Sequence, residues 1–113
     1  FGHAIEKIAG YGTWLHGEAV GAGLVMAAEL SCVLGRLSAA DVARVRALVR
    51  ACRLPEDIPG IAAGEAFAAM AGDKKAVAGE ARFVVMDAIG NCRVERVDRR
   101  AVEAAMRRCG WIV

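Results

Sequence analysis

The sequence contains few aromatic residues, no concentration of charge of one sign and no long apolar run. Phe, Trp and Tyr make up 5% of the 113 residues, too few to suggest a platform for stacking nucleic-acid bases. The 15 basic and 13 acidic residues are mixed along the chain, without the basic stretch typical of nucleic-acid binding. Residues 19–28, the longest uncharged stretch of the first helical region, are too few to span a bilayer, which takes about 20 apolar residues. These absences favour one globular domain with no nucleic-acid or membrane partner.

Cysteine pairs at the spacing of a zinc or redox motif are also missing. The four cysteines lie far apart, and no two form a Cys-x-x-Cys motif: Cys32, Cys52, Cys92 and Cys109. We therefore expect four reduced thiols that behave as small apolar side chains, as in a cytoplasmic protein.

Apolar residues at helical spacing dominate the first third of the chain. Residues 1–9 predict a short helix, which Gly10 is placed to end in a left-handed cap. A strong helix follows over residues 16–34. Glu29 is the only charged residue between positions 19 and 34, so this helix should be nearly enclosed by protein. Its glycines and alanines recur at short spacing, which indicates close contact between backbones, and Gly35 is placed to end it.

Three further helices and one β-hairpin are predicted in the remaining segments. Ser38 and Asp41 form a capping pair for a helix that ends before Pro55, and a shorter helix is expected over residues 62–71. Residues 82–86 and 92–97 are rich in β-formers and flank a turn at 90–91. Asp98 can cap a last helix. The predicted fold class is mainly α, as one helical domain with one small β-hairpin.

The apolar positions of these helices predict which side chains form the core. One face of the third helix carries Val42, Val45, Val49 and Cys52, with its arginines mostly off that face. Phe67 and Met70 are the apolar residues expected to fix the short helix. The last helix is expected to turn inward Val102, Ala105, Met106 and Cys109.

His3 and His16 are the two histidines of the chain, and each precedes a carboxylate, Glu6 and Glu18 respectively. His3 and Glu6 share a helix face, and His16 stands where a loop enters the buried helix. Imidazole is the commonest metal ligand in proteins, yet an isolated histidine near a helix end more often caps it or forms a hydrogen bond. The separation of His3 and His16 matches no compact zinc motif, so the spacing leaves both interpretations open.

Three separated motifs resemble the 3-dehydroquinate synthase family of sugar-phosphate cyclases. They are residues 1–6 (FGHAIE), residues 10–20 (GYGTWLHGEAV) and residues 73–75 (DKK), the last followed by a short β-rich segment that ends at 88–90 (AIG). The resemblance covers residues 1 to about 97 in the same order. It implies a C-terminal domain of the dehydroquinate synthase-like or iron-containing alcohol dehydrogenase-like type over residues 1–113.

The resemblance also implies roles for individual residues. His16 matches a zinc ligand, and His3 matches a histidine that the family places against the substrate near its phosphate. Lys74 and Lys75 match a lysine pair of which at least one contacts an anionic group of the substrate, and the sequence does not decide which. Glu18 either bonds a site residue or favours the positive end of its helix. Glu6 and the arginines of the third and last helices are interpreted as structural or solvated.

The family forms 3-dehydroquinate and phosphate from 3-deoxy-arabino-heptulosonate 7-phosphate in the shikimate pathway, using NAD and Zn²⁺ or Co²⁺. The resemblance implies a cytoplasmic lyase that is a homodimer when full length. The chain begins with Phe1 and carries no Gly-rich dinucleotide motif, so we expect a truncated product lacking the N-terminal NAD-binding domain and two zinc ligands. Alone it should be inactive and bind neither cofactor tightly. Two alternatives stay open, another sugar-phosphate cyclase and a non-catalytic helical assembly module.

Overall fold

Five helices and one antiparallel hairpin build the chain in its computed structural model, which describes residues 1–9, 14–58, 60–71 and 82–113. In chain order the elements are α1 (Gly2–Ala9), α2 (His16–Val33), α3 (Ala39–Ala51), α4 (Ala63–Ala71), β1 (Arg82–Ala88), β2 (Asn91–Arg96) and α5 (Arg99–Arg108). The prediction of a mainly helical domain with one small β-hairpin is confirmed. The predicted cap at Gly10 lies outside the described residues.

Helix α2 forms the centre of the fold, as its apolar sequence predicts. The side chains of Val25, Met26 and Leu30 are fully buried, and α1, α3, α5 and β1 all pack against this helix. The helix ends at Val33 and is followed by Gly35 at φ 76°, a left-handed conformation that glycine adopts without steric cost. The enclosure is incomplete, because Val20 and Leu24 stay 43% and 47% exposed.

Glycines let two segments approach the backbone of α2 closely, as their spacing predicts. A Cβ atom added at Gly23 would lie 3.1 Å from the backbone nitrogen of Gly2, at the start of α1. One added at Gly21 would lie 3.0 Å from the Cβ of Leu54, in the segment after α3. Larger side chains at either position would therefore push a neighbouring segment away.

Helix α3 begins with the predicted cap, in which Ser38 Oγ accepts a hydrogen bond from the Asp41 amide at 3.1 Å. Val42 and Val49 are buried against α2, as predicted. The prediction that Cys52 shares their buried face is wrong, since its side chain is exposed. Because α3 ends at Ala51, the helical period no longer sets the direction of Cys52.

The short helix α4 packs mainly through small residues. Ala63 and Ala66 are the buried members of this helix, while Phe67 and Met70 are partly buried at the edge of the core. The two larger side chains therefore do contact the core, but they cover it from outside instead of filling it.

The hairpin and α5 complete the core. Strand β1 pairs with β2 in antiparallel register and buries Phe83, Val85 and Met86 against the helices, while a register shift separates Met86 from Ala88. Buried Ser31 of α2 ties the hairpin to the helix by accepting a 2.8 Å hydrogen bond from the Met86 amide. Asp98 caps α5, and the predicted inward residues of that helix are all fully buried: Val102, Ala105, Met106 and Cys109.

All four cysteines carry free thiols, as predicted, although only Cys109 is buried and Cys52 and Cys92 are exposed. None of the helices within the described ranges is long and apolar enough to cross a membrane.

Candidate metal and substrate site

Helices α1 and α2 run antiparallel, and their packing brings the Glu6 carboxylate of α1 to His16, the first residue of α2. Phe1 and Gly2 lie beside Gly23, whereas Glu6, one turn further along α1, reaches back to His16. The His16 Nδ1 atom lies 3.0 Å from Glu6 Oε1. The two residues are ten positions apart in the sequence and lie on different helices, so the contact depends on how α1 packs on α2.

The two partners differ in exposure. The His16 side chain is 73% exposed, whereas that of Glu6 is 14% exposed. The described residues therefore bond the ring through Nδ1, and most of the His16 side chain faces solvent. A solvent-facing ring nitrogen on a fixed helix end is free to bind a metal ion or a substrate oxygen.

Glu18 stabilises the start of α2. Its Oε1 atom accepts a 2.9 Å hydrogen bond from the backbone amide of Leu15, the residue that precedes the helix. This is the glutamate half of a capping box, and leucine supplies no side-chain acceptor for the other half. Of the two roles left open for Glu18, the structure favours the helix end over a bond to a site residue. His16, the first residue of α2, thus stands at a helix terminus that Glu18 caps.

His3 lies on the exposed side of α1, and its side chain forms no hydrogen bond or ion pair with the residues that the structure describes. Although His3 and Glu6 are three positions apart, the helix turns Glu6 toward α2 and His3 toward solvent. Both histidines are therefore accessible to a ligand. Lys74 and Lys75 lie outside the described residues.

The donor set around His16 is small compared with what the zinc ion implied by the resemblance needs. No group of three or more His, Cys, Asp or Glu side chains within residues 1–9, 14–58, 60–71 and 82–113 could hold a metal ion. These residues instead offer a single imidazole whose other nitrogen contacts a carboxylate, the arrangement usual for a histidine that binds zinc. His16 thus fits the role of one ligand in a site completed by other groups.

A second ionic group lies on another side of α2 and contrasts with this site. We call it the Arg46 cluster; it consists of Glu29, Arg46, Glu56, Asp57 and Arg108. Arg46 bonds Glu29 Oε1 at 3.0 Å, Glu56 Oε1 and Asp57 Oδ1 at 3.2 Å, and the Arg108 carbonyl at 3.1 Å. Burial alone would lower the pKa of Arg46, but the hydrogen bonds to Glu29, Asp57 and Glu56 raise it above its ordinary value.

The charged groups of the Arg46 cluster bond one another within the protein. Glu29 accepts from both Arg46 and Arg108 and is 7% exposed. Burial raises the pKa of the adjacent Cys109 thiol to about 12, which keeps the thiol protonated and unreactive near neutral pH. We therefore interpret this cluster as structural, which agrees with the sequence-based interpretation of the arginines.

Glu6 is the residue whose place in the site the sequence did not reveal. Helical spacing placed it beside His3, and a charged residue on a short helix is usually solvated. The available signal was its position one turn after Gly2, a residue small enough to let α1 lie directly on α2. That signal becomes interpretable only when the direction of α1 along α2 is known.

Comparisons with known proteins identify the family of the chain. Residues 1–76 match the model of the 3-dehydroquinate synthase C-terminal family. The chain is 51% identical over 107 residues to a 3-dehydroquinate synthase of Bordetella pertussis, covering 95% of this chain and 29% of that protein. It is 48% identical over 95 residues to the 3-dehydroquinate synthase of Laribacter hongkongensis, covering 84% of this chain and 26% of that protein.

A 3-dehydroquinate synthase of Neisseria meningitidis serogroup A is also similar, at 48% identity over 97 residues, 86% of this chain and 27% of the relative. The chain thus spans less than a third of the length of these curated relatives. Both histidines lie within the matched segment. Because the family model covers residues 1–76, well over half of its length, the chain belongs to the 3-dehydroquinate synthase C-terminal family.

Proposed function

We propose that this chain is the metal- and substrate-binding part of an enzyme that forms 3-dehydroquinate. The observation that carries the proposal is His16, a ring fixed at the first residue of α2 through Nδ1 while most of its surface faces solvent. In this proposal His16 binds a divalent metal ion, with zinc as the first candidate. A bound zinc ion supplies Lewis-acid polarisation of substrate oxygen atoms.

The other candidate residues act on the charged groups of the substrate. His3 is exposed on α1, where its ring can donate a hydrogen bond to a phosphate oxygen or transfer a proton to it as phosphate leaves. At least one of Lys74 and Lys75 neutralises an anionic group of the same substrate by direct contact. Each of these roles needs only a side chain accessible to solvent, which the structure provides for His3.

The chain is proposed to work with a further domain that binds NAD. Two observations support this part of the proposal. The named 3-dehydroquinate synthases that it matches are more than three times its length. In addition, Leu15 and the first half of α2 expose apolar side chains on the helix that carries His16: Leu15 is 70%, Val20 43% and Leu24 47% exposed. A second surface that covered them would also enclose His16.

A chimeric enzyme tests the proposal. This chain would replace the matching C-terminal part of the Bordetella pertussis 3-dehydroquinate synthase, and formation of 3-dehydroquinate and release of phosphate would be measured. We expect an active chimera, and we expect His16→Ala to lower kcat/KM by more than about 100-fold, since it removes a metal ligand. His3→Ala should lower kcat by about 100-fold, as loss of a general acid does.

Arg44→Gln serves as the control, because Arg44 is exposed and, among the described residues, pairs with Asp41 of its own helix. Its chimera should keep the activity of the parent. Full activity of a folded His16→Ala chimera would refute the proposed role of His16. A folded parent chimera that forms no 3-dehydroquinate but converts a different sugar phosphate would favour another cyclase instead.

A further inference from the structure

The contact between Glu6 and His16 connects a mostly buried carboxylate to a mostly exposed imidazole. We propose that Glu6 is a positioning residue, which holds His16 as the tautomer with hydrogen on Nδ1 and thereby presents Nε2 to a divalent metal ion. This inference deepens the proposed function and rests on it, because it assumes that His16 is a metal ligand.

The chemistry of the pair selects one tautomer. An ionised carboxylate only accepts hydrogen bonds, so the ring nitrogen that faces it across 3.0 Å must be the donor. In a neutral imidazole the other nitrogen then carries the lone pair. A carboxylate in this position also makes the ring a better electron donor toward a metal. Glu6 thus selects both which nitrogen is available and how strongly it binds.

The protein fixes Glu6 more firmly than a surface ion pair would require. Ile5 and Ala4, its neighbours on α1, are 0% and 6% exposed. The start of α1 lies directly on α2 at Gly23, and the Phe1 ring lies 5.1 Å from the ring of Phe83 on β1. The position of the carboxylate relative to α2 is therefore set by backbone packing.

The neighbouring acid does not compete for the ring. The Glu18 carboxylate bonds the Leu15 amide and so has a partner of its own. A purely structural tie between α1 and α2 is the competing explanation for the Glu6 contact. Such an exposed pair contributes little to stability, about 0–1 kcal/mol. The zinc response of His16 separates the two explanations: both place hydrogen on Nδ1, but only a positioning role makes metal binding at Nε2 depend on Glu6.

The experiment measures the ring nitrogens of His16 by long-range ¹H–¹⁵N NMR on the 113-residue chain. The two histidines are told apart with His3→Gln. We expect hydrogen on Nδ1 of His16 in the parent chain, and loss of that preference in Glu6→Ala. Glu6→Gln retains an acceptor oxygen, so it should keep the tautomer while lacking the charge; this variant also controls for any unfolding caused by alanine.

Zinc sulfate, added to the same samples, probes the free nitrogen. The Zn²⁺ concentration at which the Nε2 signal of His16 responds should rise about 10-fold or more in Glu6→Ala, the range known for partners of metal-binding histidines. Glu18→Gln is the matched control, because it removes one negative charge two positions from His16 without touching the ring. It should change neither the tautomer nor the zinc response.

Two outcomes overturn the inference: hydrogen on Nε2 of His16 in the parent chain, or an unchanged zinc response in a folded Glu6→Ala. Either result would refute the positioning role of Glu6 even if the His16→Ala chimera is inactive. Conversely, an active His16→Ala chimera refutes the metal role itself, while a Glu6-dependent tautomer would then remain a measured property of the ring. The two proposals therefore fail on different readouts.

Discussion

The His16 site and the Arg46 cluster both join a basic side chain to a carboxylate on a neighbouring helix, yet they differ in what they leave unbonded. Arg46 is 18% exposed and directs its donors to Glu29, Glu56, Asp57 and the Arg108 carbonyl. His16 is 73% exposed and contacts one carboxylate through one ring nitrogen. The first arrangement consumes its hydrogen-bonding capacity inside the protein, whereas the second retains half of it.

This difference indicates where function and stability lie in the domain. A group whose bonds are all made within the fold contributes to stability and has nothing left for a ligand. A group held by one bond on a rigid helix end contributes little to stability but can bind without rearrangement. Three substitutions test this division, beginning with the largest expected effect.

Arg46→Met should destabilise the domain by about 3 kcal/mol. The substitution leaves Glu29, which is 7% exposed, with Arg108 as its remaining partner, and a buried carboxylate that loses a partner is costly. It also removes the bond that ties Asp57 to α3, whereas Glu56 keeps its two bonds to Arg50 of the same helix. Urea denaturation followed by circular dichroism measures the change in unfolding free energy.

Arg44→Met is the matched control, since it deletes an arginine on the same helix that is 70% exposed and pairs only with Asp41. Its effect should stay within about 0.5 kcal/mol. Equal losses for the two variants would mean that the Arg46 cluster is no more stabilising than a surface ion pair.

The local features of this fold were predictable because each depends on residues three or four positions apart. The cap of α3 needs only Ser38 and Asp41, and the end of α2 needs only Gly35 in a left-handed turn. The inward face of α5 follows from the helical period alone. These features were confirmed because they require no knowledge of which helices pack together.

Features that depend on packing between distant segments could not be predicted in this way. The helical period placed Arg46 off the apolar face of α3, but the segment after α3 and the end of α5 enclose its guanidinium. Glu6 was interpreted as structural or solvated and not as a partner of His16, because nothing local shows that α1 runs antiparallel along α2. The role of His16 was predicted only through a family resemblance, since its separation from His3 fits no compact metal motif.

Gly23→Val should have the second largest effect and should act on the His16 site. A side chain at position 23 meets the Gly2 backbone, which lies 3.1 Å from the added Cβ atom, so α1 must move away from α2. We expect a loss of about 2 kcal/mol, as for overpacking in other cores. The displaced α1 should also separate Glu6 from His16, and the His16 ring signals should then resemble those of Glu6→Ala.

Gly64→Val is the control for Gly23→Val, because an added Cβ at position 64 meets no atom within 4 Å. It should change stability by less than about 0.5 kcal/mol and leave the His16 signals unchanged. Wild-type ring signals in Gly23→Val would show that the contact does not depend on the close packing of α1 on α2.

His16→Ala should have the smallest effect on stability and the largest on metal binding. The lost ion pair is exposed on the histidine side, so the unfolding free energy should change by less than about 1 kcal/mol in the urea experiment. Zinc should no longer shift the signals of α2 in the same variant. A stability loss as large as that of Arg46→Met would contradict the comparison, because His16 would then hold the helices together as the Arg46 cluster does. A small loss combined with an abolished zinc response would separate the two regions, one maintaining the fold and the other binding the ligand.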